Sequence, residues 1–204
     1  NKARFSALSA ASLMHLLQKQ RDAFGLTLFN DEVRLHTQCK SSTSHYRLML
    51  THLHHFTNNP AGNKNTAAAK ALHEVAESIH RRSLVVIFSD MFEQTEDNDQ
   101  LFSALQHLKH NKHEVILFHV TDKSKELDFE FDNRPYLFID MESGERLRLQ
   151  PKQVKEHYVE QVGKFMQQLR FKCLQYKIDF VEADIRQGFR TVLQSYLVKR
   201  SRMG

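Results

Sequence analysis

Residues 81–90 read RRSLVVIFSD: Arg81-Arg82-Ser83-Leu84-Val85-Val86-Ile87-Phe88-Ser89-Asp90. The five apolar residues from Leu84 to Phe88 show no alternation, which is the pattern of a parallel strand covered on both faces. Valine and isoleucine favour strand over helix. The run stops at Ser89-Asp90, and helical patterns stand on either side of it. Upstream, Ala68, Ala71, Leu72, Val75 and Ile79 recur at three- and four-residue spacing on one helix face. Asn65 or Thr66 can cap that helix. Downstream, a helix over about 98–111 leads to a second apolar strand, Val115 to Val120. Strand, helix, strand in this order builds βαβ units on a parallel sheet, with right-handed crossovers.

The flanks extend the pattern. Residues 2–20 are helical, with Ala7, Ala10, Ala11, Met14 and Leu17 at helical spacing. Gly25 marks the exit and opens a short strand, Gly25 to Phe29. A turn at Asn30-Asp31 leads into Glu32 to Gln38, where Val33 and Leu35 alternate with polar residues. This predicts a hairpin with a half-exposed edge strand. Residues 44–57 read as helix, followed by a loop of turn formers from Asn58 to Asn65. The segment 122–150 breaks the rhythm: Tyr136 to Met141 and Arg146 to Leu149 flank Glu142-Ser143-Gly144-Glu145, a hairpin signal. A helix over about 152–174, a strand from Ile178 to Val181 and a helix from Gln187 to about Lys199 close the chain. No repeat, linker or low-complexity tract interrupts it. The expectation is one domain over 1–204 with a hairpin insertion at about 122–150.

Composition narrows the class. With 41% hydrophobic residues and only 6 Gly and 3 Pro in 204, the chain can bury a core and is not a disordered protein. Its two cysteines, Cys39 and Cys173, make neither a disulfide framework nor a CxxC site, so a reduced, cytoplasmic setting is the simpler expectation. No apolar stretch approaches a membrane span, and Lys2 and Arg4 open the chain inside a helical pattern rather than a signal peptide. The 29 Lys and Arg against 24 Asp and Glu give net +5, but these charges are spread along the chain, with a short cluster at Lys199, Arg200 and Arg202. No basic run interleaves with aromatics, so nucleic acid is not an expected partner.

In an open α/β sheet, ligands bind beyond the carboxyl ends of the strands. Ser89-Asp90 falls there, and Thr66 falls in a loop before a helix. Their hydroxyl and carboxylate oxygens are hard donors suited to Mg²⁺ or Mn²⁺ and not to zinc. The plainer reading makes Thr66 a helix cap and Asp90 a strand end bonded to nearby N–H groups. His52, His54 and His55, and His107, His110 and His113 along one expected helix, lack the HExxH pattern and read as exposed helix histidines. The acid pairs Glu126 with Asp128, and Glu142 with Glu145, read as solvated surface. No GxSxG elbow, GxxxxGK[ST] loop or GxGxxG fingerprint is present, so no catalytic residue is assigned.

The run Asp22-x-x-Gly25-Leu26-x-x-Phe29, then Asn65-Thr66 opening a helix, then Arg81 to Asp90, resembles the bacterial domain-of-unknown-function 58 family. The later Glu142-Ser143-Gly144-Glu145, Tyr158, Cys173, Ile178-Asp179-Phe180 and Tyr196-Leu197-Val198-Lys199-Arg200 agree. That resemblance implies a von Willebrand factor A-like (Rossmann-like) fold: an open, mostly parallel sheet, helices on both faces and one antiparallel edge strand. It places Thr66 and Asp90, with Ser89 as a further candidate, in the second and third loops of a metal-ion-dependent adhesion site. The first loop, Asp-x-Ser-x-Ser, and the first central strand are then expected just ahead of Asn1. Ala183-Asp184 stands where Thr-Asp is expected after the last strand. Function is implied to be non-enzymatic: an adaptor for a MoxR-type AAA+ ATPase that assists assembly or maturation of other complexes. Mg²⁺ or Mn²⁺ is expected only in a longer chain that carries the first loop. The alternatives are a Mg-dependent hydrolase using Asp90 and a metal-free scaffold. If Thr66 and Asp90 flank one ion, their oxygens lie within about 6 Å of each other.

Overall fold

A computed structural model describes residues 1–30, 32–58, 68–80, 82–90, 98–132, 134–139 and 146–201. Helix α1 spans Lys2–Gln20, capped by the Asn1 side chain, which accepts the Arg4 N–H. Its exit differs from expectation. Arg21, at φ 62°, takes the left-handed position that ends the helix, and its N–H bonds back to Gln18 and Leu17. Gly25 instead serves the hairpin. A Cβ there would stand 2.7 Å from the Thr37 carbonyl oxygen, so glycine permits the close approach of the two arms. Those arms are β1 (Thr27–Phe29) and β2 (Val33–His36), an antiparallel ribbon. Helix α2 (Thr43–Asn58) follows and packs along α1.

Helix α3 (Ala68–Ser78), β3 (Leu84–Ser89), α4 (Asn98–His110) and β4 (Glu114–Thr121) form the expected alternation. A single turn of π-helix over Lys123–Leu127 follows β4. The hairpin strands β5 (Tyr136–Ile139) and β6 (Arg146–Leu149) pair antiparallel as a small sheet of their own. Helix α5 (Pro151–Gln175) leads to β7 (Asp179–Asp184), and α6 (Phe189–Ser201) closes the described chain. Strand β7 runs three residues beyond the expected Val181, so Ala183-Asp184 ends the strand rather than following it.

The central sheet is parallel, in the order β3-β4-β7. Alternation along β4 distributes the core. Val115 and Leu117 face α3, α4 and α5, meeting Leu72, Leu105 and Leu169, while Ile116, Phe118 and Val120 face α1 and α6, meeting Phe5, Leu193 and Tyr196. A third cluster, with Met14, Phe24 and Met49, locks α1 to α2 and the ribbon. The expectation that Leu84–Phe88 is covered on both faces is corrected: only Ile87 is buried in β3, and Leu84 is 48% exposed. Strand β4 is buried from Val115 to Thr121. The reason is position, because β4 has a neighbour on each side and β3 has one among the described residues. Strands β1 and β3 do not pair with each other.

Candidate functional site

The carboxyl ends of β3, β4 and β7 gather the charged residues of interest. Asp90 follows β3 directly. One of its carboxylate oxygens, Oδ2, lies 2.8 Å from Lys2 Nζ, and Glu126 Oε1 lies 2.9 Å from the same ammonium. Glu126 reaches this point because the π-helical turn doubles back over the sheet edge, where its Oε2 also accepts the Asp122 N–H at 3.3 Å. Burial by itself would lower the Lys2 pKa; the charge and hydrogen bond of Asp90, joined by Glu126, outweigh it and hold the ammonium above its usual value. Beside this triad, Asp122 Oδ1 accepts from Arg186 Nε at 2.8 Å, and Asp184 caps the turn before α6 by accepting the Arg186 N–H.

Beneath Asp90 lies His119, in register with Ser89 across the β3–β4 pair. It is fully buried, and neither ring nitrogen meets a hydrogen-bond partner among the described residues. Burial pushes its pKa down to about 4; the Asp90 backbone, close to the ring but outside good hydrogen-bond geometry, and the Asp90 and Glu182 charges oppose this, while the Lys2 charge adds to it. His119 is therefore neutral near pH 7. Tyr158 of α5 stands near the same charges: burial raises its pKa, Glu126 adds to that and Lys2 opposes it.

The sequence expectations meet this geometry unevenly. Asp90 and Ser89 stand at the strand end as placed. Thr66 and Asn65 lie outside the described residues, as does the Glu142-Ser143-Gly144-Glu145 turn, so the Thr66–Asp90 approach is not among the described distances. Glu126 is not solvated surface: its side chain is 26% exposed and paired. His113 is corrected too. It sits past the end of α4, is buried, and accepts the Ser83 N–H through Nδ1, while burial pushes its pKa down. His107 is half-buried and its Nδ1 lies 3.0 Å from His73 Nδ1 on α3. His54 and His55 are exposed, as expected.

Lys2, Glu126 and His119 were not legible as site residues in the sequence. Two signals were available: a cation in the first turn of a helix opposes the helix dipole and calls for an anion nearby, and a histidine inside an apolar strand is an unusual buried group. Among the described residues, no group of three or more His, Cys, Asp or Glu is placed to hold a metal. Asp90 has the right donor chemistry for a hard cation, but its described counter-ion is Lys2. The described residues alone do not make a divalent site.

These features define an α/β domain with a charged edge at the carboxyl ends of its parallel strands. Over residues 1–167 the sequence matches the family described as Protein of unknown function DUF58, and the chain belongs to that family. The similarities at Cys173, Ile178–Phe180 and Tyr196–Arg200 lie beyond the matched residues. No curated protein and no solved structure matches the chain. Among the described residues, no helix is long and apolar enough to cross a membrane.

Proposed function

We propose that this chain is a non-enzymatic protein-interaction module of the von Willebrand factor A type, acting in the cytoplasm as an adaptor for a MoxR-type AAA+ ATPase. The contact face is the sheet edge around Asp90. The observation that carries this reading is the convergence of Asp90, Glu126 and Lys2 at the carboxyl ends of the strands, where open α/β sheets bind ligands. The fold assignment is supported by the ribbon: β1 and β3 leave each other unpaired, yet Phe29 and Val85 pack on the same α3–α4 cluster. A central strand between them would join ribbon and sheet. In a longer chain whose preceding loop is Asp-x-Ser-x-Ser, that loop with Thr66 and Asp90 would hold Mg²⁺ or Mn²⁺, which supplies an open coordination position for a partner's carboxylate. Within this chain, Lys2 would have to leave Asp90 Oδ2 for the ion to bind there.

A second reading, the metal-free scaffold, is favoured by Lys2, which already neutralises Asp90 and Glu126 without an ion. The hydrolase alternative draws on Glu126 as a second carboxylate near Asp90. One set of measurements separates the three. The full-length protein should retain the ATPase in Mg²⁺ and release it in EDTA. Asp90→Ala should weaken retention by about tenfold or more, and Thr66→Ala less, because carboxylate charge dominates hard-cation affinity. Retention unchanged by EDTA and by both variants establishes the scaffold. Turnover of phosphatase, esterase or nuclease substrates that disappears in Asp90→Ala establishes the hydrolase.

A further inference from the structure

Helix α1 has three working faces. Phe5 and Leu13 pack toward the sheet, and Ala7, Met14 and Leu17 pack toward α2 and the ribbon. The third face, carrying Leu8 and Leu16, forms one wall of a groove of about 640 Å³ whose opposite wall is α6, with Leu197 and Val198; Tyr46 of α2 and Arg190 complete it. The apolar walls are open to solvent: Leu8 is 40% exposed, Leu16 43%, Leu197 36% and Val198 45%. Contiguous apolar surface of this kind marks an interaction site more often than chance exposure does.

The charge around the groove is one-sided. Helices α1, α2 and α6 carry seven Lys and Arg and no Asp or Glu; Lys2 and Arg200 are paired with carboxylates of other segments, which leaves Arg4, Lys19, Arg47, Arg190 and Lys199. On α1, Arg4 precedes Leu8 by four residues and Lys19 follows Leu16 by three, so both continue the groove-facing stripe. Arg4, Lys19 and Arg190 are exposed, and none makes an ion pair among the described residues.

We propose that the α1–α6 groove docks an acidic amphipathic helix of a partner protein. Its apolar residues at i, i+3 or i+4, and i+7 lie between Leu8, Leu16, Leu197 and Val198, and its carboxylates meet Arg4, Lys19 and Arg190. The groove runs open between two helices, which suits a rod laid along it; a lipid surface is separated from it by the test below. A second copy of this chain is disfavoured, since it would bring another acid-free, cationic face against the first. The stripe from Arg4 to Lys19 measures about 22 Å at 1.5 Å per residue, which accommodates about four turns of partner helix. The groove begins at Leu8 and does not include Asp90, so this inference stands apart from the adhesion-site reading.

The test uses the full-length protein and a fluorescent 18-residue probe peptide with leucines at helical spacing and glutamates elsewhere. A matched probe has lysines in place of the glutamates. Anisotropy should show saturable binding of the glutamate probe and about tenfold or weaker binding of the lysine probe. Raising salt from about 0.05 to 0.5 M should weaken the glutamate probe several-fold, because these charges are exposed and screened. Arg4→Glu/Arg190→Glu and, separately, Leu16→Asp/Leu197→Asp should each cost about tenfold, with unchanged thermal unfolding at these solvent-facing positions. The proposal is overturned by equal binding of both probes, by no binding of the glutamate probe, or by variants that bind as the parent does. It is equally overturned if phosphatidylserine vesicles capture the protein in preference to the probe, or if sedimentation shows a dimer that Leu16→Asp/Leu197→Asp dissolves.

Discussion

Lowering the pH from 7 to 4 should destabilise this fold, and His119 makes a contribution that can be isolated. Its imidazole is fully buried in the central strand, and burial lowers its pKa from 6.5 to about 4. Between those values the unfolded chain binds a proton that the folded chain refuses, so stability falls as pH falls through that window and is unaffected well above 6.5. Comparing proton binding in the two states, the loss is about 0.7 kcal/mol between pH 7 and 6, about 2 kcal/mol by pH 5 and about 3 kcal/mol by pH 4. The charged groups facing His119 are Lys2, which reinforces the shift, and Asp90 and Glu182, which reduce it. Urea unfolding at several pH values measures the effect as the difference between the parent and His119→Leu. Subtraction removes the contributions of other groups, including His113, whose lowered pKa has the same sign. His119→Leu should match or exceed the parent at pH 7, since it replaces a buried ring whose nitrogens have no hydrogen-bond partner among the described residues, and its advantage should widen by about 2 kcal/mol at pH 5. If parent and variant lose stability in parallel from pH 7 to 4, His119 takes up a proton in the native state and the argument fails.

The remaining predictions concern reactive and charged groups. Burial pushes the Cys173 thiol up to about 12, whereas Cys39 is exposed. A disulfide reagent should therefore titrate one thiol in the native protein and two after denaturation; rapid modification of both in the native state would contradict the packing around Cys173. Lys2→Met should leave Asp90 and Glu126 repelling each other without their cation, and lower stability by about 1 kcal/mol, a figure reduced for the solvent reaching Asp90. Adding Asp90→Asn and Glu126→Gln to Lys2→Met should restore most of the loss in denaturant titration; additive destabilisation would show that the three groups do not act together.

Periodicity carried most of the fold. The helices and the βαβ order from α3 to β4 follow from apolar spacing, because tertiary burial is what imposes that spacing on a sequence. Burial rank was less legible. Leu84–Phe88 is as apolar as a central strand, yet it lies at an edge of the described sheet, and strand order depends on partners distant in sequence. Helix ends were harder still: Arg21, Lys112 and Lys177 adopt left-handed φ of 62°, 62° and 56° where glycine would be the expected signal. The site was half legible. Asp90 stands out as a carboxylate at the end of an apolar run. Lys2 and Glu126 are 124 residues apart and meet only because α1 starts, and the turn after β4 doubles back, at the same sheet edge.

Charge is unevenly distributed over the described residues. The sheet edge presents carboxylates from three strand ends, Asp90, Asp122 and Asp184, together with Glu126. Each of Lys2 and Arg186 is drawn in as a local counter-ion. The flank formed by α1, α2 and α6 has cations and no acids. A protein with separated fields of opposite sign steers an approaching partner by direction as well as by attraction. Helix α1 links the two regions: its first residue closes the carboxylate cluster, and its outer face lines the basic groove. It is packed between the sheet cluster and the α2 cluster along its length, so neither surface can shift without disturbing a buried core. A ligand that withdraws Lys2 from Asp90 removes the anchor at one end of the groove wall. If both proposed sites bind, coupling through α1 would appear as altered groove affinity for the glutamate probe in Lys2→Met, and unchanged affinity would show that edge and groove act separately.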